Sequence, residues 1–151
     1  MDNFALISTL KAYSDSKEWV FLYGNKSHQN ILASQHEYSA GQLVLTADFD
    51  AEVKFTKAFS IDSIIYTGVL ALGIKIDEAI GEADPVVVGL DETYYQKYLA
   101  RLKDLMTLLT THIAAIACDN QLEVTQCLFR IDINRFDTNI DFIAATVTFI
   151  Q

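Results

Sequence analysis

Proline and glycine are scarce in this chain, with one proline, Pro85, and six glycines among 151 residues. That scarcity excludes collagen-like repeats and flexible linker composition. No apolar run approaches the roughly 20 residues that carry a helix across a bilayer. The opening Met1-Asp2-Asn3-Phe4 lacks the basic start and apolar stretch of a signal peptide. Synthesis in a cytoplasm with no membrane attachment is therefore the expectation. Basic residues are few as well. Lys and Arg total 11 against 20 Asp and Glu, for a formal net charge of −9 and a pI near 4.6. Nucleic-acid backbones are held by Lys and Arg, so a sequence-specific nucleic-acid site is not expected. The one local basic group, Lys97, Arg101 and Lys103, shares a helix with Glu92 and Asp104 and reads as a solvated face.

Chemistry-bearing residues are equally sparse. Cys118 and Cys127 match no metal or redox spacing and are expected to be free, buried and inert. His28 and His36 fall in one polar stretch and His112 in a long helical pattern, too dispersed for a metal triad. No glycine-rich phosphate loop and no nucleophile motif occurs. Asp132, Asn134, Asp137, Asn139 and Asp141 crowd one predicted turn. Their spacing is that of no calcium loop, and Asp and Asn are the residues turns prefer. Asp48, Asp50 and Glu52 alternate along one strand face that meets solvent, a poor place to raise a carboxylate pKa. The expectation is a protein without catalytic residues, metal ligands or cofactor, and not an enzyme.

What is present is pattern. Half of the residues are hydrophobic, enough for one domain spanning residues 1–151 to bury a core. Phe4, Ile7 and Leu10, with Leu6 and Tyr13 alongside, share a helical stripe over residues 2–13, ended by Ser14-Asp15-Ser16-Lys17. Trp19 to Tyr23 is aromatic and β-branched and reads as a strand. From Lys26 to Ala40 the chain is polar and aperiodic, a surface loop or a poorly defined helical turn. Between Leu43 and Phe55 every odd position is apolar, and all even ones but Val44 are polar or charged. Successive strand side chains point to opposite faces, so this is one continuous strand with a dry and a wet face.

Ile64, Tyr66, Leu70, Leu72, Ile74 and Ile76 then occupy even positions, with Gly68 the only gap. The short connection Phe59–Ser63 predicts an antiparallel hairpin over residues 42–77. An acidic loop follows, with Val86-Val87-Val88 as a candidate edge strand. Asp91 suits a helix N-cap. Tyr95, Leu99, Leu102, Leu105 or Met106, Leu109, Ile113 and Ile116 recur at helical steps, predicting a long helix over 91–118 stopped at Asp119-Asn120. Two alternating runs within 121–150 predict a closing hairpin, and a parity change near Gln126-Cys127 predicts a β-bulge. The fold class expected is α+β: a mainly antiparallel sheet with a long hairpin, a short N-terminal helix and one long packed helix.

From Tyr94-Tyr95-Gln96-Lys97-Tyr98-Leu99 through Ala117-Cys118-Asp119-Asn120 and Phe129-Arg130-Ile131-Asp132 to Asn139–Phe149, the chain resembles tail-terminator and tail-completion proteins of long-tailed phages and prophages. The resemblance implies a non-enzymatic virion subunit, made in the host cytoplasm. It would form a homo-oligomeric ring, commonly six-fold, at the tail or head–tail junction, beside other tail or connector proteins. Its hairpin is longer than such a protein needs and is similar in that respect to tail-tube subunits. Leu45, Phe49, Val53, Phe55, Phe59, Tyr66, Leu70 and Leu72 are the expected interface residues, because edges and apolar faces of a long hairpin can be covered by a neighbouring subunit. The competing expectation is a small-molecule or peptide-binding domain with Tyr13, Trp19, Tyr23, Tyr66 and Tyr95 lining a pocket.

Overall fold

The strict alternation after Leu43 becomes the backbone of the molecule. The structure, a computed structural model, describes residues 5–25, 29, 38–39, 41–75, 92–132 and 140–151. Strands β1 (Val20–Tyr23), β2 (Leu43–Phe55), β3 (Ile61–Lys75), β4 (Glu123–Asp132) and β5 (Ile140–Ile150) form one five-stranded sheet in the order β1-β2-β3-β5-β4. Helices α1 (Ala5–Ser16) and α2 (Glu92–Asp119) complete an α+β fold. The sheet is mixed: β1 runs parallel to β2, pairing Val20 with Val44 and Tyr23 with Ala47, and the other neighbours are antiparallel. The expected strands Ile76 and Val86–Val88, the N-cap Asp91 and the turn at Asn134–Asn139 lie outside the described residues.

Helix α1 runs on to Ser16, about one turn past the end its sequence pattern suggests, because its stop signal is conformational. It buries Leu6, Leu10 and Ser14, an i, i+4 series. Glu18 takes a left-handed φ of 59°. Around it Trp19 N–H donates to Ser14 O (2.9 Å) and Glu18 N–H to Asp15 O (3.1 Å), a Schellman closure. Helix α2 ends identically. Gln121 has φ 55°, Leu122 N–H donates to Ala117 O at 2.9 Å and Gln121 N–H to Cys118 O. The left-handed residue is Gln121 rather than the expected Asn120, whose side-chain amide instead donates to Ile116 O at 2.8 Å.

Strands β2 and β3 pair without interruption from Leu43–Ile74 to Lys54–Ser63, so no turn splits β2 at Asp48-Phe49-Asp50. The odd positions of β2, the even positions of β3 and the odd positions of β5 face the helices. There Leu45, Leu70, Leu72, Ile143, Val147 and Phe149 meet Leu102, Leu109, Ile113 and Ile116 of α2 and Leu6 and Leu10 of α1. On the opposite face Leu22, Val44, Ala71, Ile140, Phe142 and Ala144 form a second, smaller cluster. Gln29 is buried, and its amide donates to Gly24 O (2.6 Å) and Ala47 O (3.1 Å). The parity change in β4 is a bulge between Val124 and Gln126, which puts Val124, Cys127 and Phe129 on the same face despite their unequal spacing. Cys118 and Cys127 are free as expected, yet neither is buried: Cys118 lies off the Ile113–Ile116–Ala117 stripe and is exposed.

Candidate functional site

Coverage of the hairpin ends abruptly. Strand β3 is flanked by β5 as far as Ile64, whose N–H donates to Gln151 O (3.0 Å) and whose carbonyl accepts from Gln151 N–H (2.9 Å). Past that point no described strand flanks the segment from Lys54 to Ser63, the tip of the hairpin. The turn comes earlier than its sequence suggests, at Thr56–Ser60, and Ile61 already belongs to β3. Thr56 N–H donates to Ser60 O at 2.8 Å and Phe59 N–H to Thr56 O at 3.0 Å, while the Thr56 and Ser60 hydroxyls bond each other at 2.7 Å. This lattice holds Phe59 at φ 61° with 90% of its surface exposed. A three-residue loop of this kind ordinarily places glycine at its left-handed position. An aromatic side chain there costs strain and gains no burial within the chain. Phe55 and Ile61, paired across the strands, are 64% and 48% exposed. The tip is thus an apolar triad flanked by exposed Lys54 and Lys57.

The expected interface residues divide between tip and core. Leu45, Tyr66, Leu70 and Leu72 are fully buried beneath the helices, and Phe49 and Val53 pack partly against the same core. Only Phe55 and Phe59 are presented outward. Ile61 joins them, and Thr56 and Ser60 set the turn. Sequence reading placed Ile61 in the connection, and a threonine and serine four residues apart were the available signal for the turn.

At the opposite end of the same hairpin a cleft of about 600 Å³ opens between the strand bases and the N-terminal half of α2. Leu43, Ile74, Ala100, Leu105 and Leu108 give it an apolar floor, and Arg101 and the exposed Asp104 both line its wall. Tyr13, Trp19, Tyr23 and Tyr66 are not among its lining residues, and Tyr95 lies in α2 with its side chain outside what the structure describes.

A third feature joins the two helices. The Tyr13 hydroxyl hydrogen-bonds His112 Nδ1, and Trp19 meets the imidazole edge-on with centroids 4.6 Å apart. Lys17 Nζ lies 5.6 Å from the Tyr13 ring centroid. Burial, then the Lys17 charge, pushes the His112 pKa below its ordinary value, and burial, then Asp119, raises that of Tyr13. His112 is therefore a packed, neutral partner that staples α1 to α2.

Among the described residues no group of three or more His, Cys, Asp or Glu side chains is placed to hold a metal ion. His28, His36 and the side chains of the Asp132–Asp141 set lie outside the described residues. No described helix is long and apolar enough to cross a membrane. Scanned against protein-family models, curated proteins and solved structures, the chain returns no match.

Proposed function

We propose that this chain is a non-enzymatic structural subunit of a phage tail or head–tail junction, built to assemble with copies of itself into a ring. The observation that carries the assembly half of this reading is the tip of the β2–β3 hairpin. Phe59 occupies a strained backbone position, fixed by hydrogen bonds that tie Thr56 to Ser60 and to Phe59 itself, and is 90% exposed. Strain that the chain maintains without burying the side chain is expected where the side chain works on a partner. The placement in a virion rests on the resemblance of residues 94–149 to tail-completion proteins. The acidic composition agrees with a subunit through which DNA passes without adhering. The length of β2 and β3, 13 and 15 residues, keeps a tail-tube subunit as the nearest variant of the same reading.

The test is mass. Multi-angle light scattering at micromolar concentration, with negative-stain imaging of the same peak, is expected to give a closed ring of uniform subunit number. A folded monomer across the accessible concentration range overturns the reading.

A further inference from the structure

We propose that two copies of this chain pair hairpin to hairpin, the open edges of their β2 strands aligned antiparallel about a two-fold axis at Val53. This contact goes beyond the ring reading above, since a two-fold pair forms with or without closure into a ring.

The outer edge of β2 is covered at one end only. Strand β1 flanks it from Val44 to Ala47, and no described strand flanks it from Asp48 to Phe55. Burial stops at the same point. Val44 to Ala47 are buried, and every residue from Asp48 to Phe55 is exposed or half-buried. The main chain along this stretch is placed to pair. Ala47 O accepts from Gly24 N–H on the β1 side, while Thr56 N–H donates to Ser60 O across the hairpin. Successive residues of a strand alternate in direction, so Phe49, Ala51, Val53 and Phe55 turn their N–H and C=O groups outward. An uncovered edge of this kind takes a further strand through main-chain hydrogen bonds.

Charge selects a second copy of the same edge, in one register. On its exposed face the edge reads Asp48, Asp50, Glu52, Lys54. Unlike charges directly opposite favour an antiparallel pair, and like charges oppose it. A pair centred on Ala51 sets Asp50 against Glu52 on both sides of the axis. One centred on Glu52 or on Lys54 sets that residue against its own copy, and centres nearer Asp48 face acid with acid. Only the pair centred on Val53 brings unlike charges together, Glu52 against Lys54 twice, with no like pair. Asp50 then faces Thr56 and Asp48 faces Ala58, and the exposed Asp62 belongs to β3, the strand away from the contact. On the other face Val53 meets Val53, and Ala51 meets Phe55, which is 64% exposed in the single chain. The turn fits too. Beyond Phe55 each copy's turn runs toward Asp48 of the other, where β1 ends in Tyr23, itself 37% exposed. Phe59 is carried on that turn. A patch that meets its own copy makes an isologous contact, which closes at two chains.

The experiment reverses charge at exposed side chains of the full chain and follows association by sedimentation equilibrium at low salt. Glu52→Lys and Lys54→Glu are each expected to weaken pairing at least tenfold, because each sets like charges opposite. The two in one chain are expected to restore it. A second readout needs no charge. Val53→Cys puts two thiols at the axis, where the Cα atoms of a hydrogen-bonded pair lie about 5.5 Å apart, within disulfide reach. Mild oxidation is expected to yield a covalent dimer well beyond the level that Cys118 and Cys127 give in the wild type. Stronger association of Glu52→Lys would put Ala51 at the axis and overturns the register. Association indifferent to both reversals, a double variant that does not recover, or Val53→Cys with no added cross-link overturns the two-fold contact and leaves the ring reading standing. A wild type that stops at the dimer retains the contact and overturns the ring. A monomeric wild type overturns both.

Discussion

Gly68 of β3 faces Phe49 of β2 so closely that a Cβ on Gly68 would lie 2.6 Å from the Phe49 Cα and 2.0 Å from the Asp48 carbonyl oxygen. The obstacle is main chain and cannot swing aside. The Phe49 ring itself packs near that of Phe149, their centroids 5.9 Å apart. Gly73 differs. A Cβ there meets the Phe142 ring and Ile140 Cγ2 at 2.6 to 2.8 Å, all side-chain atoms. Gly68→Ala is therefore expected to cost about 3 kcal/mol or more, and Gly73→Ala roughly 1–2 kcal/mol. Urea titration of the two variants measures the order, and a Gly68→Ala variant no worse than Gly73→Ala would show that β2 and β3 separate easily there.

The staple between α1 and α2 makes stability depend on acid. Burial and Lys17 hold the folded-state pKa of His112 below the ordinary value near 6.5. The unfolded chain thus binds this proton more readily than the folded one. The contribution is complete above about pH 6.5 and declines as pH falls toward the folded-state value. A melting temperature that drops between about pH 7 and 5 is expected in the wild type. His112→Gln should melt lower at neutral pH but with a shallower slope through that window. Equal slopes would mean that His112 titrates as freely in the fold as out of it.

Glu18 and Gln121 each close a helix in the left-handed region, at φ 59° and 55°, where a side chain is unfavourable. Glycine relieves that strain but loosens the unfolded chain. The balance leaves Glu18→Gly and Gln121→Gly each stabilising by about 0.5–1 kcal/mol. The two caps are far apart in sequence and share no hydrogen bond, so the double variant should add the two gains. Calorimetry reads all three, and a loss in either single variant would assign the side chain a contact worth more than the strain.

The same residues show what was legible in the sequence. The alternation over Leu43–Phe55 specified a continuous strand, but its expected wet face is wet only from Asp48 onward, since Val44 and Thr46 are as buried as Leu45 and Ala47. It could not say how far the cover extends. Ala51 and Phe55 have the parity of Leu45 and Ala47 and yet are exposed, because the neighbouring elements end before the hairpin does. The parity change in β4 announced its bulge, since two residues opposite one must reverse the pattern. The parallel pairing of β1 left no mark, as four residues carry no directional signal. Helix α2 stops at Asp119, where its sequence places it, while the end of α1 and the hairpin turn were misplaced by a few residues for one reason. The left-handed positions are Glu18, Gln121 and Phe59, not the glycine or asparagine by which such positions are recognised.

Phe59 separates folding from assembly. At φ 61° its position favours glycine, and its ring is 90% exposed, so the isolated chain gains little from the side chain. Phe59→Gly is expected to raise the stability of the monomer by about 0.5–1 kcal/mol, from the strain released less the added freedom of the unfolded turn. If the ring is an anchor at a contact between copies, the same substitution should weaken association at least about 30-fold, the loss typical of a central interface residue. The two effects have opposite signs, which no purely structural role produces. A residue retained for the turn would destabilise the monomer when replaced, and one retained for neither purpose would leave association unchanged. Melting of the dilute protein and sedimentation of the concentrated protein, on the same preparation, distinguish the three.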